Sequence, residues 1–248
     1  MGIDFDKMKA KRDALENRGN GKSVFWRPED GEQTIRLLPT ADGDPFKQYW
    51  FHYNLGKNAG FLSPKKNFGE DDPLDSFIRQ LYKDGSDDSV RMAKDLSARQ
   101  RFFSPVLVRG EEGEGVRLWG YGKMAYKELL NLVLNPEYGD ITDSVEGTDI
   151  TLTYTKPTRP GAYPQTNLKM RRNTSPLLGD ADAIPGLLEN MPDFDSLFER
   201  LTPEQVDAIL DEQLASDKSA EGRSSETHSY GKKEANDVDK AFDELMAG

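Results

Sequence analysis

The sequence predicts a mixed, mainly β fold: a five-stranded barrel of the OB type, with an inserted helical subdomain and an acidic, largely disordered C-terminal tail. Three observations support this prediction. Short stretches of alternating residue types recur between Gly, Pro and Asp turns, and strand–helix–strand units do not repeat. Acidic residues concentrate late in the chain: residues 193–248 hold 15 acidic and 6 basic residues, whereas residues 1–192 hold 29 and 27.

The first half of the chain is predicted to contain an arm, four strands and two helices. Residues 1–22 are rich in charge and end at Gly-Asn-Gly, which indicates a basic, flexible arm. Asp72 and Pro73 are typical of a helix start, so a helix to about residue 83 and another over 88–97 form an insertion at about 56–98. Alternation and turn residues predict strands over 23–27, 32–38, 45–55 and 61–66.

The second half continues the strands and then changes character. A hairpin over 99–109 and 115–121, a helix over 123–134, and strands over 148–156 and 164–172 complete a predicted core domain of residues 23–175. Short helices are expected over 176–214, the clearest at 203–214 behind a Thr202 cap.

Residues 215–248 form the predicted acidic tail. Its first part, 215–236, has almost no apolar side chains, which predicts disorder. Its end has the spacing of a helix with one apolar face, which suits a segment that binds partner proteins. The residues expected to contact such partners are Val238, Phe242, Leu245 and Met246.

Three predicted strands combine aromatic and basic side chains on a shared face. Because side chains alternate between the two faces of a strand, every second residue lies on the same side. The groups that share a face are Lys47, Tyr49, Phe51 and Tyr53; Arg99, Arg101 and Phe103; and Arg117, Trp119 and Tyr121.

This mixture is typical of a surface that binds single-stranded nucleic acid. Aromatic rings stack on unpaired bases for about 1–3 kcal/mol each, while cations contact phosphates. The alternative is a strand buried on both faces, in which these rings fill a core. The expected stacking residues are Tyr49, Phe51, Tyr53, Phe103, Trp119 and Tyr121. The expected phosphate contacts are Lys47, Lys57, Lys65, Lys66, Arg99, Arg101, Arg117, Lys123, Arg171 and Arg172.

Composition excludes several classes of site. The chain has no cysteine, which rules out disulfides and thiolate metal sites, and two histidines alone make a poor zinc centre. The chain has no apolar export signal and no stretch near the roughly 20 apolar residues of a membrane span. We therefore expect a cytoplasmic protein with no membrane partner.

Two short motifs raise enzymatic alternatives. Gly-Asn-Gly-Lys-Ser at 19–23 resembles the end of a phosphate-binding loop, but Glu16 stands where that loop needs a glycine. The carboxylates at 70, 71, 72 and 75 suit a Mg²⁺ site of a nuclease. The alternative interpretation is that these residues form a solvated loop that ends in a helix cap. The second interpretation is the better one, so the sequence predicts no enzyme and no cofactor.

Five stretches of the chain carry a resemblance to a known family. They are FHYNLGKN at 51–58, PKKNFG at 64–69, DPLDSF at 72–77, RQRFFSPVLVRG at 99–110 and VRLWGYGKMAYKEL at 116–129. Together they resemble the helix-destabilising single-stranded DNA-binding proteins of tailed bacteriophages, over roughly residues 23–172. The basic arm and the acidic tail also match the layout of that family.

The resemblance implies a zinc site that this chain does not reproduce. Members of the family often bind zinc through one His and three Cys, and the corresponding positions here are His52, Ser63, Asp72 and Asp75. A hydroxyl and two carboxylates are weak zinc ligands, so we expect a zinc-free member with Asp72 as a helix cap and His52 as an ordinary strand residue. Packing of Phe68, Leu74, Phe77 and Ile78 is expected to hold the subdomain instead.

The resemblance also predicts the function. It implies a protein that coats single-stranded DNA during phage replication, recombination and repair in an infected bacterial cell, self-associates along DNA and recruits replication proteins through its tail. The family's arm has three consecutive basic residues, whereas here the cations of residues 1–22 are interrupted by Asp4 and Asp6. The alternative function is an acidic adaptor that recruits replication enzymes and has little affinity for nucleic acid.

Overall fold

A computed structural model of the chain describes residues 23–55, 58–159, 163–221, 241–242 and 244–246. The predicted arm, residues 1–22, therefore lies outside the described residues. The eight strands are β1 (Phe25–Trp26), β2 (Gly31–Leu37), β3 (Lys47–Leu55), β4 (Asn58–Leu62), β5 (Arg99–Val108), β6 (Arg117–Tyr121), β7 (Thr148–Thr155) and β8 (Gln165–Thr174). The α-helices are α1 (Pro64–Phe68), α2 (Pro73–Asp84), α3 (Asp87–Leu96), α4 (Lys123–Val133), α5 (Ile184–Glu189) and α6 (Pro203–Glu221).

The strands form one large, open, mostly antiparallel sheet. Its order is β1-β6-β5-β2-β7-β8, and β3 joins it by pairing with β5 and with β4. Only the short β1–β6 pair is parallel. Among the described strands no ladder joins β1 to β8, so the predicted closed barrel is not observed. The fold is mixed α/β, as expected, and the eight described strands lie near the eight stretches predicted as strands, but they form an open sheet and not a five-stranded barrel.

Strand β5 organises the sheet because it is long enough to pair with three neighbours. Its first half pairs with β3 from Arg99 to Phe103, and its second half pairs with β2 from Val106 to Val108. Along its other edge it pairs with β6, which confirms the predicted hairpin. The sheet therefore divides at the middle of β5 into a β3–β5–β6 part and a β2–β7–β8 part.

Helix α4 covers one face of this sheet and closes the main core. Ala125 and Leu129 are buried at helical spacing against a cluster that includes Phe102 of β5 and Leu168 of β8. The ring of Tyr126 stacks on Phe102 with 3.8 Å between centroids. Burial of a side chain such as Leu129 contributes about 1.5–3 kcal/mol, so this helix is held mainly by its apolar face.

The helical insertion forms a second core, and its helices begin where the sequence predicts. The side chain of Asp72 accepts a hydrogen bond from the Asp75 amide, which confirms it as the cap of α2. Leu74 and Ile78 are buried, and Phe77 packs beside them. Phe68 does not belong to this core: it is 39% exposed, with the Arg200 guanidinium 4.3 Å from its ring.

One predicted strand of the insertion is partly wrong. Residues 61–66 were expected to be extended, but β4 ends at Leu62 and α1 begins at Pro64. The Ser63 side chain accepts a hydrogen bond from the Lys66 amide and caps this helix. A Ser-Pro pair can begin a helix, so residue alternation alone placed the end of the strand too late.

A buried ion-pair network ties the β2–β7–β8 part to the segment that follows it. Arg36 is fully buried, and its Nε lies 2.8 Å from Asp149 Oδ1. Arg109 donates to the same carboxylate over 2.9 Å. Arg36 also donates to the Ser175 carbonyl oxygen over 2.7 Å. Removing one member would leave a buried charge without its partner, a change that is strongly destabilising.

The C-terminal part contains the longest of the helices that the structure describes. The Thr202 amide donates to Gln205 Oε1 over 2.7 Å, and the Gln205 amide lies 3.4 Å from Thr202 Oγ1, which confirms the predicted capping box. Helix α6 continues to Glu221, beyond the predicted end at 214. Residues 222–240 lie outside the described residues. Within the part that the structure describes, no helix combines the length and apolar character that a bilayer crossing requires.

Candidate nucleic-acid interface

The predicted alternation of β3 and β5 is confirmed by their pairing. Lys47 lies opposite Phe103, Tyr49 opposite Arg101 and Phe51 opposite Arg99, so these six residues share one side of the sheet. We call the rings on this side, Tyr49, Phe51, Tyr53 and Phe103, the aromatic face.

The aromatic face is covered in this structure, so its predicted exposure to bases is wrong for the described arrangement. Phe51 and Phe103 are fully buried, and Tyr53 is 4% exposed. The ring of Phe198 lies 4.9 Å from that of Phe51 and 5.2 Å from that of Phe103. The predicted alternation is correct, but segments from later in the chain pack on this face and bury it.

The other two predicted stacking residues, Trp119 and Tyr121, lie on the opposite side of the sheet. Because Phe103 pairs with Gly120, the neighbouring Trp119 and Tyr121 lie on the opposite side, in the main core. The Tyr121 hydroxyl is 2.6 Å from Ser104 Oγ, and burial raises the pKa of Tyr121 well above its ordinary value. Neither ring is available for stacking on bases.

Arg117 also departs from its predicted role. It is 7% exposed, and its guanidinium donates to the Phe25 carbonyl oxygen over 3.1 Å. This hydrogen bond joins β6 to β1. Arg117 therefore holds the edge of the sheet instead of contacting phosphates.

A cleft of about 640 Å³ lies at the open edge of β6. Strand β1 pairs only with Leu118 and Trp119, so no described strand lies beside Gly120 and Tyr121 on that edge. The segment from Trp119 to Ala125 lines the cleft, together with residues 25–28. Side chains of the β7–β8 hairpin and of the C-terminal segment complete its walls: Tyr154, Lys156, Tyr163, Pro164, Thr166, Phe242 and Met246.

The charges in this cleft are all positive. Four cations line it from four separate places in the chain: Arg27 after β1, Arg101 of β5, Lys123 of α4 and Lys156 after β7. Among the described residues of the lining, none is acidic, although acidic residues outnumber basic ones 44 to 33 in the whole chain. The cleft is therefore a local positive site on an acidic protein.

The start of α4 adds to this positive potential. Lys123 is its first residue, and the N-cap position is Gly122, whose lack of a side chain leaves the first amides of the helix uncapped. Helix N-termini carry a partial positive charge that favours anions. Lys123 and the helix end therefore act in the same direction.

Only two of the predicted phosphate contacts, Arg101 and Lys123, line the cleft. Lys47 forms an ion pair with Asp42, and Arg99 donates to the Lys94 carbonyl oxygen. The others that the structure describes are exposed elsewhere, on α1 or on the far half of β8: Lys65, Lys66, Arg171 and Arg172. Lys57 lies outside the described residues.

Two cations and two tyrosines of the cleft were not predicted as binding residues: Arg27, Lys156, Tyr154 and Tyr163. Three of them flank the β7–β8 turn, and Tyr163 is 68% exposed. Their signal in the sequence is weak, because single Arg, Lys and Tyr residues near turns are common on ordinary surfaces. Only the fold brings them to β6.

Three of the four positions that correspond to family zinc ligands meet in a buried polar cluster. Ser63 Oγ donates to Asp72 Oδ2 over 2.9 Å, and His52 Nε2 lies 3.6 Å from the same oxygen. The other ring nitrogen of His52 is 2.8 Å from the Leu96 carbonyl oxygen. Asp75, the fourth position, instead pairs with Arg79 at 3.0 Å. These contacts join β3 to the starts of α1 and α2.

The electrostatics of this cluster stabilise the Asp72 carboxylate. Burial by itself would raise its pKa, but the neighbouring His52 ring and the hydrogen bonds from Ser63 Oγ and the Asp75 amide outweigh it and lower the pKa from 3.8 to about 2. The carboxylate is therefore ionised at neutral pH and accepts hydrogen bonds from both helices that it joins.

The carboxylates considered for a nuclease do not converge. Asp72 is buried beside His52, Glu70 pairs with Arg200, and Asp75 pairs with Arg79. Within the described ranges, no three His, Asp or Glu side chains form a group that could hold a metal ion. The acidic segment therefore forms the start of helix α2, and the carboxylates beside Asp72 are solvated.

The predicted partner-binding residues contact the chain itself. Phe242, Leu245 and Met246 pack on the aromatic face, with Met246 3% exposed. The guanidinium of Arg101 lies 4.9 Å from the centroid of the Phe242 ring. Val238 lies outside the described residues.

Comparison with known proteins does not identify the chain. No protein-family model matches it, and no curated protein sequence is significantly similar to it.

Proposed function

We propose that the chain is a single-stranded DNA-binding protein with an OB-type body, which coats and protects DNA with low sequence preference during phage replication, recombination and repair. The observation that carries this proposal is the cleft at the β6 edge, where four cations and no described carboxylate line the walls. A protein of net charge −11 repels a polyanion unless it gathers its cations locally. This cleft is such a place.

The cleft has the two kinds of group that an unpaired strand requires. Arg27, Lys123 and Lys156 are exposed cations at separate points of its rim. The exposed ring of Tyr163 and the half-buried ring of Tyr154 supply apolar surface for bases. Since base stacking works with every base, this arrangement favours affinity without sequence preference. Stacking is thereby assigned to the β7–β8 hairpin instead of the buried aromatic face.

Binding to fluorescein-labelled oligo(dT), poly(rA) and duplex DNA, measured by anisotropy, tests the proposal. We expect tight binding to oligo(dT) at low salt and weak binding to the duplex. If each of the four cations neutralises one phosphate, log K falls by about 2.8 per unit of log salt, at about 0.7 for each contact. Equal affinity for the duplex, or affinity that does not depend on salt, would contradict the proposal.

A pair of charge reversals locates the binding to the cleft. The double variant Lys123→Glu, Lys156→Glu is expected to weaken oligo(dT) binding at low salt by at least about tenfold and to lower the salt dependence. Lys83→Glu is the matched control, because Lys83 is an exposed lysine at the end of α2, away from the cleft lining. Equal losses in both proteins would place the binding elsewhere.

The same measurement separates this function from the alternative. An acidic adaptor that recruits replication proteins through its tail is expected to show no affinity for any of the three nucleic acids. Recruitment of partners by the tail and self-association along DNA are further parts of the proposal, and they are tested separately from nucleic-acid binding.

A further inference from the structure

A short sequence pattern occurs twice in the C-terminal third of the chain. Residues 194–198 read Phe-Asp-Ser-Leu-Phe, and residues 242–246 read Phe-Asp-Glu-Leu-Met. Both have the form Phe-Asp-x-Leu followed by a large apolar residue. We call them the first and the second copy of the motif.

Both copies pack on the aromatic face. In the first copy, the Phe198 ring lies 4.9 Å from that of Phe51, 5.2 Å from that of Phe103 and 5.5 Å from that of Tyr49. In the second copy, the Phe242 ring lies 5.9 Å from that of Phe103. The contacting ring is the fifth residue of the first copy and the first residue of the second, and both rings contact Phe103, so the two segments occupy neighbouring parts of one apolar surface.

The surface on which the second copy packs, which we call its seat, fits the Phe242 ring closely. A Cβ atom at Gly120 would lie 2.6 Å from the Phe242 ring, so only glycine admits the ring at this point of β6. The Arg101 guanidinium lies over the same ring at 4.9 Å, a distance typical of a cation–π contact. At the end of the copy, Ser23 Oγ donates to the Met246 carbonyl oxygen over 3.2 Å.

The two copies differ in how they are attached. Phe198 stands only a few residues before α6, whose Val206 and Leu210 are buried in the helical subdomain. The first copy therefore cannot move without disturbing that core. About twenty residues, 222–240, join α6 to the second copy, and covalent geometry lets such a length span at most about 65 Å. The second copy can reach a neighbouring molecule.

We propose that the aromatic face is a receptor for the Phe-Asp-x-Leu motif and that the second copy is exchanged between two molecules of this chain. The second copy makes the same contacts whether it binds the face of its own molecule or that of a neighbour. Exchange therefore changes only the effective concentration of the segment at the aromatic face. The segment binds its own molecule in dilute solution and a neighbour's face where molecules are crowded. The proposal does not depend on nucleic-acid binding.

A labelled peptide tests the receptor. A fluorescein-labelled peptide of residues 239–248 is added to the full chain and to the full chain with Phe242→Ala and Met246→Ala, and anisotropy is recorded. The double variant, whose seat is vacated, is expected to bind the peptide at least about tenfold more tightly than the unaltered chain. A peptide with Phe242→Ala is expected to lose binding, while one with Glu244→Gln, a change at an exposed residue, keeps it.

A mixture of two variants tests the exchange. Gly120→Val closes the seat and frees the segment, whereas the Phe242→Ala, Met246→Ala chain has an open seat and no ligand. Each alone is expected to sediment as a monomer, and an equal mixture is expected to form a dimer. Gly120→Ala, whose single added carbon meets the same ring, replaces the valine variant if that one does not fold.

Two results would overturn the proposal. Equal binding of the peptide to the unaltered and double-variant chains, or no binding to either, would show that the face is not a receptor. Peptide binding together with a mixture that remains monomeric would show that the segment is not exchanged between molecules.

Discussion

Replacing Asp72 by Asn tests whether a buried carboxylate holds the helical subdomain at the place where the resemblance implies a metal. Asp72 accepts hydrogen bonds from Ser63 Oγ and from the Asp75 amide, and it lies 3.6 Å from His52 Nε2. Asn has nearly the same shape but no charge. The substitution therefore removes the negative charge and turns one of the two acceptor oxygens into an amide donor.

The size of the effect follows from the pKa of Asp72. Its value is 3.8 when unperturbed and about 2 in the folded chain. Each unit of difference corresponds to about 1.4 kcal/mol, so the ionised group stabilises the fold by roughly 2 kcal/mol at neutral pH. Because the folded pKa is the lower one, this stability is present above about pH 4 and is lost as the pH falls towards 2. A loss of about 2 kcal/mol lowers the melting temperature by roughly 4–8 °C.

Urea unfolding followed by tryptophan fluorescence measures the difference at pH 7, 4 and 2.5. Asp72→Asn is expected to be less stable than the unaltered chain at pH 7, with the gap narrowing below pH 4. Asp71→Asn is the matched control, because Asp71 is the exposed neighbour and surface changes stay within about 0.5 kcal/mol. A cost equal to that of the control, or a gap at pH 2.5 as large as the gap at pH 7, would refute this account of the cluster.

Two further predictions concern metal content and the C-terminal segment. The protein is expected to fold without zinc, because a hydroxyl and two carboxylates are poor zinc ligands; stoichiometric zinc in the purified protein, with a lower melting temperature after its removal, would contradict this. Deleting residues 222–248 is expected to strengthen oligo(dT) binding at low salt, because it removes acidic residues and uncovers Arg101 at the cleft, where Phe242 now lies over it. Unchanged affinity of the truncated chain, measured by anisotropy, would exclude competition between the segment and DNA.

The sequence predicted the strands and their faces well, and it failed on what covers those faces. Alternation correctly put Tyr49, Phe51 and Tyr53 on one side of β3. Exposure, however, depends on which distant segment packs there, and here the cover comes from residues 194–198 and 241–246. Periodicity within a strand contains no information about partners that lie more than a hundred residues away.

A second limit of the sequence was the relation between neighbouring strands. Trp119 and Tyr121 do share a face of β6, as predicted, but that face is the one opposite to Phe103. The pairing of Phe103 with Gly120 sets this relation, and a shift by one residue would reverse it. The loop between β5 and β6 determines the pairing, and its geometry was not predictable from composition. The cleft depends on the same pairing, since it brings Arg101 and Lys123 to one edge.

The hydrogen bond between Ser23 and Met246 brings the two ends of the described chain to one point. The two described ends of the chain thus lie next to each other, beside the cleft and the seat of Phe242. A short linker that joined the position of Met246 directly to that of Ser23 would fix the segment in its seat. A ring-closed or circularly permuted chain would therefore separate the effect of the segment's tether from the effect of its sequence.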